Sequence, residues 1–167
     1  AVSPRVPLSE SPRLNLGIID FRYNNGGTFV SGGAQENFQS LDYMNRIYPL
    51  GLPGGGIIDP GDGLHYFIDP LVDDAMKTHV DQTHKDCASL LVKNPDGTVA
   101  SDNRNQCAGN YAMATIRSMR AAGTLPKQYY YYGSVANDGT LPNTRGFTPN
   151  GDSISVGPKL DFNGNPQ

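Results

Sequence analysis

Histidines are the side chains of this chain best suited to bind a transition metal or to transfer protons near neutral pH. There are three, His65, His79 and His84. His79 and His84 lie five residues apart in a segment whose apolar spacing predicts one continuous helix. Five residues of a regular helix span about 500°, so the two rings should point about 140° apart. Two ligands on one helix need a spacing of four instead. We therefore predict that this pair holds no metal, with His79 a satisfied core residue and His84 solvated.

An acidic turn, Asp59–Gly63, is the second group of residues with metal-binding chemistry, and Asp69, Asp73 and Asp74 follow it closely. Carboxylates and backbone carbonyls in such a turn can bind Ca²⁺. The ligand spacing of a calcium-binding loop is lacking, so we predict an ordinary turn. The sequence also lacks a Gly-x-Ser-x-Gly elbow and a phosphate-binding glycine loop. Motifs therefore identify no catalytic residue and no metal ligand.

The composition predicts a folded, loop-rich domain. Glycine (20) and proline (13) are abundant and charged residues make up only 17%, while nine tyrosines and six phenylalanines indicate packed structure. The net charge is −3 and the basic residues are scattered, so we expect no nucleic-acid partner. No apolar run approaches the roughly 20 residues that span a bilayer. We predict an extended segment over 1–13 and a single domain over 14–167.

Cys87 and Cys107 are the only cysteines. An acidic protein rich in Asn, Gly, Ser and Thr with two cysteines is typical of a secreted protein with one disulfide. The start, Ala1–Pro4, is also typical of a mature terminus after processing. A Cys87–Cys107 bond would close a loop of about 21 residues and stabilise the fold by roughly 3 kcal/mol. The alternative is a cytosolic protein with two buried thiols.

Hydrophobic periodicity predicts an α/β (α+β) fold, with a mixed twisted sheet of about four to five strands packed against about three helices. The tyrosine run Tyr129–Tyr132 is predicted to be a strand; its stacking on nucleic-acid bases would require flanking positive charge. The predicted strands are Leu14–Tyr23, Thr28–Val30, 56–59, His65–Ile68, Tyr129–Asn137 and Ser153–Gly157, and the predicted helices are 35–48, Asp69 to about Val92, and 107–122.

The order of these elements resembles that of a known enzyme family. The residues that carry the resemblance are the strand Leu14–Tyr23, the run Phe38–Leu50, Met119–Gly123, Tyr129–Asn137 and Gly146–Pro158. Together they resemble the front half of the catalytic domain of secreted bacterial zinc metallopeptidases of the zincin type. In that family a zinc-binding His-Glu-x-x-His helix comes next. No such motif occurs up to Gln167, so neither zinc ligands nor a catalytic glutamate are assigned to this chain.

The resemblance leaves two explanations, a fragment of such a peptidase or a non-catalytic relative. For a fragment it implies metal-assisted peptide hydrolysis by a zinc-bound water, with zinc supplied through a downstream His-Glu-x-x-His segment. This chain would then provide the scaffold and an edge strand that binds a peptide substrate through its backbone. The predicted substrate-binding residues are Ser153, Ile154, Ser155 and Val156.

Two non-enzymatic alternatives remain. An exposed strand edge could join another copy of the chain in a secreted surface, adhesive or assembly-forming module. A glycan-binding domain would use the tyrosines together with the Asn/Asp loops, and it requires the tyrosines to lie on one open face.

Overall fold

The computed structural model describes residues 14–31, 64–136 and 153–158. The segment 1–13, the helix predicted over 35–48, the strand predicted over 56–59 and the acidic turn Asp59–Gly63 lie outside these ranges.

Seven strands and three helices are defined within these ranges. The strands are β1 Leu14–Asn25, β2 Thr28–Ser31, β3 Leu64–Val72, β4 Leu91–Lys93, β5 Val99–Asp102, β6 Tyr130–Val135 and β7 Ile154–Pro158. The helices are α1 Ala75–Val80, α2 Lys85–Ala88 and α3 Cys107–Ala121, and a short 3₁₀ turn precedes α3 at Arg104–Gln106.

β1 is the centre of a five-stranded mixed sheet. It pairs in parallel with β3 and with β6, and β7 continues the parallel sheet beyond β6. β2 is antiparallel to the end of β1 and follows it through a two-residue turn. Gly26 and Gly27 have φ values of 60° and 92°, and tight hairpin turns of this kind favour glycine at both positions. The strands predicted at Leu14–Tyr23 and at Ser153–Gly157 are confirmed.

The core lies between this sheet and α3. Alternate residues of β1, Ile19, Phe21 and Tyr23, are fully buried on the face that α3 covers. Ala112 and Ile116 of α3 are also fully buried in this cluster. The predicted mixed α/β fold with one disulfide is therefore confirmed.

The long helix predicted from Asp69 to Val92 is wrong. Its first residues belong to β3, where Pro70 pairs with Asp20 of β1. The backbone N–H of Asp73 donates to the Arg22 carbonyl at 2.8 Å. The backbone N–H and C=O groups of residues 69, 71 and 73 therefore point toward β1. Because successive residues alternate, the missing N–H of Pro70 falls on the other edge of β3, where proline is tolerated.

The remainder of that predicted helix is divided in two. α1 ends at Val80, Asp81 is its C-cap, and Gln82 adopts a left-handed φ of 58°. The N–H groups of Thr83 and His84 then both donate to the Thr78 carbonyl, at 2.9 and 3.0 Å, before α2 begins. β4 follows α2 and forms a separate two-stranded sheet with β5, joined by a turn at Asn94–Gly97.

The helix predicted over 107–122 and the disulfide are both confirmed. Cys87 and Cys107 are bonded, with their Cα atoms 5.2 Å apart, which ties α2 to the start of α3. Arg117 is exposed, whereas Arg120 is half-buried. Its guanidinium donates to Ser153 Oγ at 2.8 Å and to the Lys127 carbonyl at 3.0 Å. This residue therefore helps to hold the start of β7 against the end of α3.

Candidate functional site

The break after α1 brings His79 and His84 together. Their rings are stacked, with centroids 4.1 Å apart and an interplanar angle of 25°. The prediction that the rings point about 140° apart is wrong because it assumed a continuous helix. The left-handed turn at Gln82 reverses the chain and places His84 beside His79.

Tyr111 of α3 completes a three-ring stack. Its ring lies 3.9 Å from that of His79 at 17°, and two rings at such distances must occupy opposite faces of His79. The Tyr111 hydroxyl donates to Asp73 Oδ2 at 2.7 Å. Burial, followed by this hydrogen bond to a carboxylate, raises the pKa of Tyr111. The hydroxyl therefore stays protonated and fixes the ring against His79.

Hydrogen bonds indicate which ring nitrogen of each histidine carries a lone pair. His79 Nδ1 lies 2.8 Å from the Ala75 carbonyl, which can only accept, so Nδ1 carries the proton and Nε2 the lone pair. His84 is the N-cap of α2, and its Nδ1 accepts from the Asp86 N–H at 3.2 Å. Asp86 Oδ2 lies 3.4 Å from the same nitrogen.

His79, His84 and Asp86 therefore form a group of metal-ligand types. Each offers one ligand atom, and these atoms all lie within 4.8 Å of one another. His79 is buried, His84 is half-buried and Asp86 is exposed, so the group opens to the surface on the Asp86 side.

A second polar feature, Asp20, lies in the sheet itself. Its side chain is fully buried, and its Oδ2 accepts from Arg22 Nε at 2.9 Å and from Ser31 Oγ at 3.0 Å. Oδ1 has no hydrogen-bond partner among the residues that the structure describes. Asp20 pairs in register with Ser134 of β6, which is also fully buried, toward the carboxyl ends of these parallel strands. Ligands of open α/β sheets commonly bind beyond that edge.

Sequence reasoning missed Asp20 and set aside the histidine pair. An acidic residue inside the apolar run Gly17–Phe21 is the indication that could have identified Asp20, because carboxylates are almost never fully buried without partners. The histidine pair could be found only once the break at Gln82 was known.

The four residues predicted to bind substrate lie at the start of β7 or just before it. Ile154 and Val156 are buried in the core, so they cannot contact a peptide with their side chains. Ser153 accepts a hydrogen bond from Arg120, and Ser155 is half-buried. Only the backbone of β7 is thus placed to recognise an extended chain. The structure brings these residues together at the start of β7.

Within the described ranges, no helix is long and apolar enough to cross a membrane. No protein-family model matches the chain, and comparisons with curated proteins and with solved structures find no similar protein.

Proposed function

We propose that this chain forms the scaffold of a secreted, zinc-peptidase-like domain in which β7 binds an extended peptide by strand addition. The observation that carries the proposal is the position of β7. It is the last strand in the order β2-β1-β6-β7, and no described strand pairs with its outer edge. The disulfide supports secretion, because such bonds persist in oxidising compartments.

The register of β7 defines which backbone groups are available to a peptide. The Tyr131 N–H donates to the Ser153 carbonyl at 2.8 Å, so the backbone of Ser153 faces β6. Successive residues alternate, and Ile154 and Val156 therefore direct their N–H and C=O groups toward the outer edge. These two residues would bond an added peptide strand, whose own side chains would provide specificity.

The strand is held in place before any peptide binds. Ile154 and Val156 are 0% and 1% exposed, so the side chains that fix the register of β7 are locked in the core. The Arg120 guanidinium holds Ser153 from the helix side. A rigid edge loses little conformational entropy when it binds, which favours affinity.

The described residues do not include the His-Glu-x-x-His helix that this class of peptidase uses. No catalytic step is therefore assigned to a residue of this chain. In this proposal the zinc ligands and the general base come from a further segment of the same protein. Zinc-dependent cleavage of casein by the longest natural product, abolished by a chelator, is the expected result, and a protein that fails to cleave casein contradicts the peptidase part.

Strand addition is tested separately by removing one outward N–H. Val156→Pro deletes that donor at the sheet edge, while Val156→Ala shortens the same side chain and keeps the donor. One backbone hydrogen bond is worth about 0.5–1.5 kcal/mol, or roughly 2- to 12-fold in affinity. We expect fluorescein-labelled, denatured casein to bind the proline variant more weakly by this factor than the alanine variant. Equal binding by the two folded variants would refute the role of β7.

A non-enzymatic assembly module is the second candidate, because the same edge could pair with another copy of the chain. Phe29 of β2 and Tyr130 of β6 are 58% and 56% exposed. Sedimentation that shows concentration-dependent oligomers, lost in Val156→Pro, would support it. The tyrosine run does not support the glycan-binding alternative. Tyr131 is buried, and the side chains on either side of it in β6 lie on the other face of the sheet.

A further inference from the structure

We propose that His79, His84 and Asp86 form a binding site for a divalent transition-metal ion, with Zn²⁺ as the preferred probe. The site lies at the break between α1 and α2, and it involves no residue of β7. It does not depend on the proposed peptidase function or on a zinc ion held by another segment.

The donor types favour a transition metal over Ca²⁺ or Mg²⁺. Two imidazoles and one carboxylate suit Zn²⁺, Cu²⁺ and Ni²⁺, whereas Ca²⁺ requires six to eight oxygen ligands and Mg²⁺ an octahedron of oxygens. Three protein ligands leave the fourth tetrahedral position for water. That position faces solvent, since Asp86 is exposed.

Each histidine already presents an unprotonated nitrogen. The Ala75 carbonyl accepts from His79 Nδ1 and so fixes both the tautomer and the ring, which places the lone pair on Nε2. Metal-binding histidines usually have such a carbonyl or carboxylate on the other nitrogen. His84 Nδ1 accepts from the Asp86 N–H at 3.2 Å. A metal would replace this weak bond, and the exposed Asp86 N–H would then be hydrogen-bonded to water.

The distances are close to those of a metal centre. Zinc bonds of about 2.0–2.1 Å place neighbouring tetrahedral ligands about 3.4 Å apart. His84 Nδ1 and Asp86 Oδ2 are separated by 3.4 Å, so this pair already has the required spacing. The widest separation in the group is at most 4.8 Å. Because a metal binds in the plane of each imidazole ring, closing it requires the half-buried His84 side chain to rotate out of its stack on His79.

Three rigid features hold the ligands in position. His79 lies in α1, beside Met76 and Val80 of the core. The Tyr111 ring, anchored through Asp73, covers the face of His79 opposite His84. The residue after Asp86 is Cys87, whose disulfide to Cys107 ties the ligand-bearing turn to α3. A site held in this way loses little entropy when the ion binds.

The test is zinc titration of the intact disulfide-bonded chain, stripped of metal with a chelator, by isothermal calorimetry. His84→Asn removes the ring but keeps a side-chain acceptor for the N-cap of α2. Asp86→Asn removes the charge and keeps the backbone N–H. Asp96→Asn is the matched control, because Asp96 is another exposed carboxylate in a turn. Circular dichroism verifies that each variant is folded.

We expect one zinc ion per chain, an affinity at least tenfold weaker in His84→Asn and in Asp86→Asn, and no change in Asp96→Asn. Co²⁺ in place of zinc should give the visible absorption of a tetrahedral site with nitrogen and oxygen ligands. In NMR spectra, the imidazole signals of His79 and His84 should shift with zinc. Equal zinc binding by the native chain and His84→Asn, or no binding by either, would overturn the proposal.

Discussion

Gly17 of β1 lies directly under the ring of Tyr131, and this contact supports a quantitative prediction. A Cβ atom at Gly17 would stand 2.6 Å from Tyr131 Cε1 and 2.8 Å from Phe67 Cζ, where ordinary contacts begin at 3.4 Å. Gly17→Ala must therefore displace the tyrosine ring by roughly 0.8 Å or distort the pairing of β1 with β6.

The ring is not free to move by that distance. The Tyr131 hydroxyl donates to the Pro126 carbonyl at 2.6 Å, and the Arg120 guanidinium lies 5.7 Å from the ring centroid. Overpacking of this kind costs about 1–3 kcal/mol, and loss of the hydroxyl bond adds about 1 kcal/mol. We expect Gly17→Ala to lower the free energy of unfolding by about 2–4 kcal/mol, a large share of the stability of a typical domain.

Urea denaturation followed by circular dichroism measures this loss. Gly133→Ala is the matched control in β6, since its Cβ would stand 3.0 Å from the end of the Ile116 side chain and 3.2 Å from Val156 Cγ2, and its cost should be nearer 1 kcal/mol. The double variant Gly17→Ala with Tyr131→Leu removes the obstructing ring. Its loss should be at least 1 kcal/mol smaller than the sum of the two single losses. A Gly17→Ala protein within 0.5 kcal/mol of the native one, or strict additivity, would refute the packing argument.

Three further predictions follow from individual contacts. Replacing Cys87 and Cys107 by alanine should cost about 3 kcal/mol in urea denaturation, and a loss below about 1 kcal/mol would contradict the loop-entropy argument. Burial raises the pKa of Tyr132, so the folded state resists its ionisation. The stability it contributes is present below the ordinary tyrosine pKa and falls as pH rises above it; Tyr132→Phe should reduce the slope of unfolding free energy against pH above about 10. Hydrogen bonds from Arg104 hold the pKa of Asp102 at about 2. The stability from this pair is therefore present above the ordinary value of 3.8 and is lost as pH falls through about 2. A carboxyl NMR titration should show this midpoint, and in Arg104→Gln it should return toward 3.8.

Much of the sheet could be predicted from sequence because its strands are defined locally. The β-branched and aromatic run Leu14–Tyr23, the tyrosine strand and Ser153–Gly157 each have the residue types of a buried strand. Gly26 and Gly27 identify the β1–β2 hairpin without tertiary information, since both need a positive φ. The spacing of the cysteines and the small residues of α3 likewise predict a helix tied by a disulfide.

The segment 69–92 could not be predicted because tertiary contacts decide it. Leu71, Ala75 and His79 have helical spacing, yet the first of these pairs with β1 as part of a strand. A left-handed Gln82 is unfavourable on its own and persists because the surrounding structure fixes it. The candidate metal site depends on that one turn. The local sequence pattern predicted a continuous helix, in which the two histidines could not bind one metal ion.

Asp20 is a different case, because its residue type was visible and its environment was not. A lone acid in an apolar strand can face solvent or the interior. Its burial becomes apparent only when β6 brings Ser134 beside it and β2 brings Ser31 within reach. The pairing with Ser134 joins segments that the sequence cannot place side by side.

The central position of β1 has a consequence for how this protein must fold during synthesis. The N–H of Asn24, near its end, bonds to Asp74 across a separation of 50 residues. The hydroxyl of Tyr23 reaches the Ala136 carbonyl across 113 residues. Contacts this distant in sequence form slowly, and the apolar side chains of β1 stay exposed until β6 has been made. The sheet is therefore indivisible, and a chain cut anywhere before β6 should aggregate rather than fold into a smaller domain.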